Sequence, residues 1–356
     1  MTHFLRDILR QPGELQRTIE YLCRPRLPAL GAAAAAIHDA QHVYLTGIGS
    51  SWHAALNAGA LFYQNARPVY MQDAAELLQF ATFPKNSVII ILSRSGRSIE
   101  IVQLVAKARA AGATVIGITN APDGPLAKEA HTAIVLPIAF DHAISVNTYS
   151  TLTAATGILA SQVAGSFDSK LISVVSHSIG DAARAIPRWQ EELANSTWLL
   201  PGTVSYFLAR GSSLGSCYEA RLLWEEGVKS PATAMGTGGF RHGPQEIIAK
   251  DFRFSMWIDG ARMREQDLAV ARDLRKLGAS VMLIGQNLPS DAGDLVFQLP
   301  AIPSEWQFVI DIMPVQLVAE HLSRLSGVDC DSFRLCSFIV EDQCGLLPKQ
   351  ASGGKP

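Results

Sequence analysis

Residues 42–51 read His-Val-Tyr-Leu-Thr-Gly-Ile-Gly-Ser-Ser, an apolar run that ends in a Gly-Ser-Ser turn. A helix is predicted after the turn, because apolar residues follow at Ala54, Leu56 and Leu61. Residues 203–213 repeat this order, with Thr-Val-Ser-Tyr-Phe-Leu-Ala-Arg ahead of Gly-Ser-Ser. The chain therefore contains the same strand-turn-helix unit twice.

A second pair of segments repeats in the same order. Gly112–Gly117 closes a helix and opens a strand, and Gly278–Leu283 has the same pattern. Two matches in one order predict a duplicated α/β unit. Strands that alternate with helices form parallel sheets covered by helices on both faces.

Length and composition limit the class of protein. A chain of 356 residues fits about two ordinary domains. Hydrophobic residues make up 48% and charged residues 17%, which is typical of a compact globular protein. The formal net charge of −2 gives no reason to expect a nucleic-acid partner. No apolar stretch approaches the roughly 20 residues that cross a bilayer, so we expect no membrane partner.

The cysteines favour a reducing compartment. They are odd in number and contain no Cys-x-x-Cys pair, which fits a cytoplasmic protein without a metal cluster. Their positions are Cys23, Cys217, Cys330, Cys336 and Cys344.

The predicted organisation has five parts. Met1–Tyr21 predicts a pair of amphipathic helices broken at Pro12, and the alanine-rich stretch Ser166–Trp198 predicts a helical connector. The boundaries are an N-terminal helical segment at 1–30, a first domain at 31–166, the connector at 167–197, a second domain at 198–341 and a tail at 342–356.

The turn Ser93–Ser98 is a candidate anion site. It follows the apolar run Val88–Leu92 and precedes a helix predicted to begin near Ser98. The first amides of such a helix and the small hydroxylated side chains would suit a phosphate. Serine and glycine also make ordinary loops and N-caps, and by itself the turn fits either interpretation equally.

The second half differs at the corresponding place. There the sequence is Trp257–Arg262, and Asp259 would repel a phosphate. We therefore expect only the first half to hold an anion. In parallel sheets, ligands lie beyond the carboxyl ends of the strands, where Gly49–Ser51 and Ser93–Ser98 both fall. These two loops could line one pocket.

Four segments of the chain form an ordered set of motifs, at residues 46–53, 93–96, 147–148 and 240–244. Taken together, they resemble successive motifs of the double sugar-isomerase (SIS) domain proteins, and the similarity spans about residues 1 to 341. The family includes the isomerase half of glucosamine-6-phosphate synthase, SIS-type amino-sugar-phosphate deaminases and fructosamine-6-phosphate deglycases. The resemblance implies two tandem α/β domains, each a mostly parallel five-stranded sheet in a three-layer, flavodoxin-like arrangement. It also implies a sugar phosphate as ligand, proton transfer without metal or organic cofactor, and a homodimer.

The resemblance assigns binding roles to individual residues. Ser50 and Ser51 match the hydroxyls of the first loop, and the second loop matches the phosphate ligands. Ser145 and Asn147 match a segment that touches the sugar hydroxyls, although Asn147 stands where the synthase has serine. The expected phosphate-binding residues are Ser50, Ser51, Ser93, Arg94, Ser95 and Ser98.

Two residues are expected to be catalytic. Glu226 aligns with the glutamate that the family uses as a base, and it shares a predicted helix face with Glu219. A carboxylate at a half-buried pocket wall can have its pKa raised toward neutrality, whereas neighbouring Glu225 is expected to be solvated. His242 matches the ring-opening histidine, which relatives donate across the dimer.

The sequence departs from the synthase at several positions. No glutaminase domain precedes the matching region, so we expect no glutaminase activity. Leu223 replaces one lysine of the synthase, and a second lysine is missing around Cys336. Lys349 and Lys355 in the tail are poor substitutes, which makes a covalent imine with the enzyme doubtful.

Arg94 and Arg97 replace a glutamine and an acidic residue of the family. They suit either a second anionic group on the ligand or solvated positions at the rim. The expected function is deamination or deglycation of a 6-phosphorylated sugar at C1 and C2. The alternatives are an aldose-ketose isomerase, a non-catalytic sugar-phosphate sensor, and a structural subunit with an empty pocket.

Overall fold

The computed structural model describes residues 1–24, 28–343 and 345–346 and contains two parallel five-stranded sheets. The first sheet has the strands β1 (His42–Thr46), β2 (Tyr70–Met71), β3 (Ser87–Ser93), β4 (Thr114–Thr119) and β5 (Thr132–Val135). The second has β6 (Ser205–Ala209), β7 (Ala232–Gly236), β8 (Arg253–Trp257), β9 (Ser280–Gly285) and β10 (Leu295–Gln298). The predicted fold class is confirmed.

The two sheets have the same strand order. It is β2-β1-β3-β4-β5 in the first and β7-β6-β8-β9-β10 in the second, which is the flavodoxin-like order. Every strand pair is parallel, and β1 pairs with β3 so that Thr46 lies opposite Ile91. The duplication inferred from the two Gly-Ser-Ser turns thus extends to the topology.

Helices cover both sheets and connect them. In the first part of the chain they are α1 (His3–Leu22), α2 (Pro28–Asp39), α3 (Ser50–Gln64), α4 (Ala74–Phe80), α5 (Ile99–Ala110), α6 (Pro125–Glu129), α7 (Asn147–Val163) and α8 (Ser169–Ala194). In the second they are α9 (Leu214–Leu223), α10 (Thr237–Phe240), α11 (Arg264–Lys276) and α12 (Met313–Leu325). Within the described residues, no helix combines the length and apolar character needed to cross a membrane.

The predicted break at Pro12 is wrong, because α1 is a single helix with Pro12 inside it. Proline removes the hydrogen bond to the carbonyl of Ile8, at a cost of about 3 kcal/mol. The helix packs on α7, α8 and α12, and its buried stripe includes Phe4, Ile8 and Leu15. Tertiary burial of this stripe offsets the lost hydrogen bond.

The helices that follow the two Gly-Ser-Ser turns, α3 and α9, pack directly on each other. They approach each other tightly at Gly215, where a β-carbon would overlap the backbone oxygen of His53 and the side chain of Asn57. Asn57 also accepts a hydrogen bond from the backbone of Ser216 (3.1 Å) and donates one to the hydroxyl of Tyr149 (2.7 Å). The interface between the two halves is therefore polar at this point. A residue larger than glycine at position 215 would prevent this close helix packing.

We predict that Gly215→Ala destabilises the protein by roughly 1–3 kcal/mol, because the added carbon meets backbone that cannot move aside. Gly31→Ala in α2 is the matched control, since nothing lies within 4 Å of that position. The control should instead stabilise by about 0.5–1 kcal/mol. Urea unfolding of both variants measures the difference, and equal stability of the two would contradict the close contact.

Candidate functional site

A cavity of about 230 Å³ lies at the carboxyl ends of β1 and β3. The turn at residues 49–51 and the loop at residues 93–98 contribute to its lining. Leu222, near the end of α9, and Glu226, just beyond it, also line the cavity. Of the predicted site residues, the structure brings together Ser50, Ser51, Ser93, Arg94, Ser95, Ser98, Ser145 and Glu226 in its lining.

The loop at residues 93–98 is fixed by its own hydrogen bonds. The hydroxyl of Ser93 accepts from the amide of Gly96 (3.1 Å), and that of Ser95 accepts from the amide of Arg97 (3.2 Å). Gly96 has a φ of +62°, a conformation that disfavours other residues. Ser98 precedes α5 but makes no capping hydrogen bond to it. The loop is thus a rigid hydroxyl-bearing turn at a helix start, an arrangement able to hold an anion.

Arg94 is not a solvated rim residue. Its guanidinium donates to the carbonyl of Phe338 (2.9 Å) and weakly to Ser145 (3.4 Å), and it lies 3.9 Å from the ring centre of Phe338. Arg97, by contrast, is exposed. The two arginines, for which we considered the same two roles, thus occupy different environments.

A segment near the carboxyl terminus closes the cavity. Residues 336–340 and Phe333 line it, and the amide of Ile99 donates to the carbonyl of Val340 (3.0 Å). This wall was not predicted from the sequence, although the missing lysine around Cys336 drew attention to the same region. The lining contains the thiol of Cys336 and no lysine from the described residues. Lys349, Lys355 and Cys344 lie outside the described residues.

Glu226 differs from the prediction in its backbone. The α-helix ends at Leu223, and Trp224–Val228 form a π-helical turn that Lys229 terminates with a φ of +57°. Burial, followed by the nearby negative charge of Glu219, raises the pKa of Glu226 to about 7. Arg94 and Lys229 partly oppose this rise. A carboxyl group with this pKa can exchange protons near neutral pH.

Glu219 is the site residue to which sequence analysis gave no role. Its carboxylate is only 1% exposed, accepts a hydrogen bond from the hydroxyl of Ser50 (2.8 Å), and lies 2.8 Å from Nδ1 of His53. Ser50 and His53 belong to α3, whereas Glu219 belongs to α9. The seven-residue spacing between Glu219 and Glu226 placed both on one helix face. It could not show that Glu219 contacts α3.

Two predicted residues lie elsewhere. Asn147 is fully buried outside the cavity, where its amide donates to the carboxylate of Asp141 (2.7 Å) and the carbonyl of Asp7 (3.0 Å). These contacts fit a structural role better than the expected contact with sugar. His242 is exposed, in the turn that follows α10, and does not line the cavity of its own chain.

Residues 36–161 match the protein family described as the SIS domain. Both serine-rich loops lie within this match. The resemblance inferred from the sequence motifs is confirmed.

Nearly the whole chain is similar to the glutamine--fructose-6-phosphate aminotransferase [isomerizing] of Bacillus subtilis (strain 168). The two sequences are 24% identical over 346 residues, which cover 93% of this chain and 57% of the Bacillus protein. The chain thus spans little more than half the length of this relative.

Two solved structures have a similar fold. Glucosamine-6-phosphate deaminase from Thermotoga maritima has a TM-score of 0.79 and 20% identity, covering 95% of this chain and 99% of that one. Tagatose-6-phosphate ketose/aldose isomerase from Escherichia coli has a TM-score of 0.80 and 19% identity, covering 98% of each chain. At these identities the likeness concerns the fold.

We predict that Ser95→Asp weakens binding of glucose 6-phosphate at least about tenfold, because hydrogen bonds to a charged group contribute roughly 1.5–3 kcal/mol and the new carboxylate repels the phosphate. Isothermal titration calorimetry measures the change. Ser169→Asp, at the exposed start of α8, is the matched control and should bind normally. Undiminished affinity in Ser95→Asp would show that the loop does not hold the phosphate.

Proposed function

We propose that this protein, which carries a SIS domain at residues 36–161, is an enzyme that removes an amino substituent from a 6-phosphorylated sugar. The observation that carries the proposal is the position of Glu226. A carboxyl group with a pKa of about 7 lines the same cavity as the rigid serine loop. The cavity thus combines hydroxyl groups that suit a phosphate with a carboxyl group that suits a base.

The proposed reaction is a proton transfer between C1 and C2 of the sugar. With the phosphate held at residues 93–98, ionised Glu226 takes a proton from the carbon that bears the amine and returns it to the neighbouring carbonyl carbon. The electron pair of the broken C–H bond forms the C1–C2 double bond of an aminoenol intermediate as the carbonyl oxygen gains a proton. Return of the carbon-bound proton to the other carbon, with loss of a proton from nitrogen, leaves an imine beside a hydroxyl group, and water then cleaves the imine to a carbonyl and the free amine.

Several contacts support binding of a charged substrate. Arg94 carries its positive charge in the cavity wall, next to Ser145. The buried carboxylate of Glu219 orients the hydroxyl of Ser50, another lining residue. Because the described lining contains no lysine, an imine between sugar and enzyme has no amine to form it there.

Lys229 is not available as a substitute. Its ammonium group donates to the backbone carbonyls of Glu226 and Ser332, and it lies outside the lining of this cavity. The proposal therefore uses free water for imine cleavage and does not require a covalent enzyme intermediate.

His242 belongs to the proposal as a residue supplied by a second copy of the chain. Its imidazole is exposed, and in a homodimer it would reach the partner's cavity and transfer protons during opening of the sugar ring. A homodimer of this kind gives two identical shared sites.

Mixing two inactive variants tests this arrangement. Glu226→Gln should lose turnover but keep binding glucose 6-phosphate, and His242→Asn should also lose turnover. After subunit exchange, mixed dimers contain one intact site, so we predict recovery of about a quarter of wild-type activity. No recovery would place Glu226 and His242 in the same chain, and Glu225→Gln, at the exposed neighbouring residue, should stay active throughout.

A substrate panel tests the function itself. The protein is incubated with glucosamine 6-phosphate, fructosamine 6-phosphate conjugates and fructose 6-phosphate, and ammonia, free amine and aldose are followed. We predict amine release from one of the amino sugars, abolished in Glu226→Gln. Interconversion of fructose 6-phosphate without amine release would assign an aldose-ketose isomerase. Binding without any turnover would assign a sensor.

A further inference from the structure

The second half of the chain forms a cavity of its own. It measures about 620 Å³ and lies beyond the carboxyl ends of β6 and β8. The turn at residues 211–213, the loops at 259–262 and 303–307, and the start of α8 line it. The end of α3 completes the lining with Gln64 and Asn65. A cavity of this size is typical of sites for small molecules.

This second cavity repeats the construction of the first. Gly49 and Gly211 begin the two turns with the same φ of +55°. The helix that follows each turn runs from its own cavity to the other one. The end of α3 lines the second cavity, and Leu222 and Glu226, at and just beyond the end of α9, line the first. Gln64 follows Ser51 at the same sequence distance as Glu226 follows Ser213. Gln64 is thus the counterpart of Glu226.

The exchange of Glu for Gln changes the chemistry. A glutamine amide donates and accepts hydrogen bonds, but it cannot act as a base near neutral pH. The second cavity therefore has the shape of a binding site, but at the position where the first cavity has Glu226 it has no carboxyl group.

The charges of the second cavity differ from those of the first. Asp259 lies in the loop that corresponds to the serine loop, and its Oδ1 accepts a hydrogen bond from the amide of Ala261 (2.9 Å). This carboxylate opposes a phosphate dianion. Arg210 is committed to Asp267 (2.7 Å), although its Nη2 is buried without a partner.

Charged lining groups of both signs stay unpaired. Among the described residues, Arg262, Lys170 and Glu305 line the cavity and form no ion pair. A ligand with a single anionic group would satisfy the cations and leave the carboxylates of Asp259 and Glu305 unmatched. A ligand with one positive and one negative group would match both.

We propose that the second cavity binds a small zwitterion, a free α-amino acid with one ammonium and one carboxylate group, and binds it without chemical change. The carboxylate of the ligand meets Arg262, and its ammonium group meets Asp259. Gln64 supplies a neutral hydrogen bond where the first cavity has its base. This site does not depend on the reaction proposed for the first cavity.

Calorimetry with the intact protein tests the site. The common α-amino acids are titrated one at a time, and the best binder is compared with its N-acetyl and its carboxamide derivatives, each of which lacks one charge. Each derivative should bind at least about tenfold more weakly, since a charge-assisted hydrogen bond contributes roughly 1.5–3 kcal/mol. Absence of binding by every amino acid would overturn the proposal.

Variants assign the binding to one cavity. Arg262→Gln and Asp259→Asn should each weaken the amino acid at least about tenfold, with glucose 6-phosphate binding at the first cavity unchanged as the test of folding. Ser95→Asp should leave amino acid binding unaltered. Loss in Ser95→Asp with retention in Arg262→Gln would move the ligand to the first cavity and refute the site. If Arg262→Gln abolished the binding of glucose 6-phosphate, the second cavity would bind a phosphate, and the proposal of an amino acid ligand would be refuted. Neither outcome depends on the substrate panel.

Discussion

The candidate site depends on the buried carboxylate of Glu219. It lies between the two halves, where Ser50 and His53 of one helix meet it from the opposite side. A charge that is removed from water needs such partners to be tolerated. The contact exists because Gly215 lets α3 and α9 approach closely. One close helix crossing therefore orients a hydroxyl in the cavity wall and places a negative charge near Glu226.

The two halves illustrate how a duplicated unit can diverge in function. Both keep the Gly-Ser-Ser turn, the strand order and a helix that crosses to the other half's cavity. The first cavity combines serines with Glu226, whereas the second combines Asp259 with Gln64. Because α3 and α9 each run from one cavity to the other, their packing joins the two sites. A few substitutions within the shared fold therefore distinguish the first cavity, which contains Glu226, from the second, which has Gln64 at the equivalent position.

The sequence predicted the features that arise from local pattern. The strands before Gly49 and at residues 87–93 followed from apolar runs and turn residues, and Glu226 was singled out by the resemblance to the family motifs. The features that depend on distant packing were not predictable in this way. Pro12 continues a helix because neighbouring helices bury it, Asn147 points to Asp141 and not to the cavity, and the wall at residues 336–340 comes from the far end of the chain.

Burial and the charge of Glu219 together give Glu226 the pKa of a base that works near neutral pH. The direct test is a ¹³C NMR titration of glutamate side-chain carboxyl groups, with the Glu226 signal assigned by its loss in Glu226→Gln. We expect a pKa of about 7 for Glu226 in the wild-type protein. In Glu219→Gln the pKa should fall but stay above the ordinary value of 4.5, because the like charge is removed while burial, the larger cause, remains. A wild-type pKa near 4.5 would show that burial does not raise the pKa of Glu226. A pKa that Glu219→Gln leaves unchanged would show that the charge of Glu219 does not contribute.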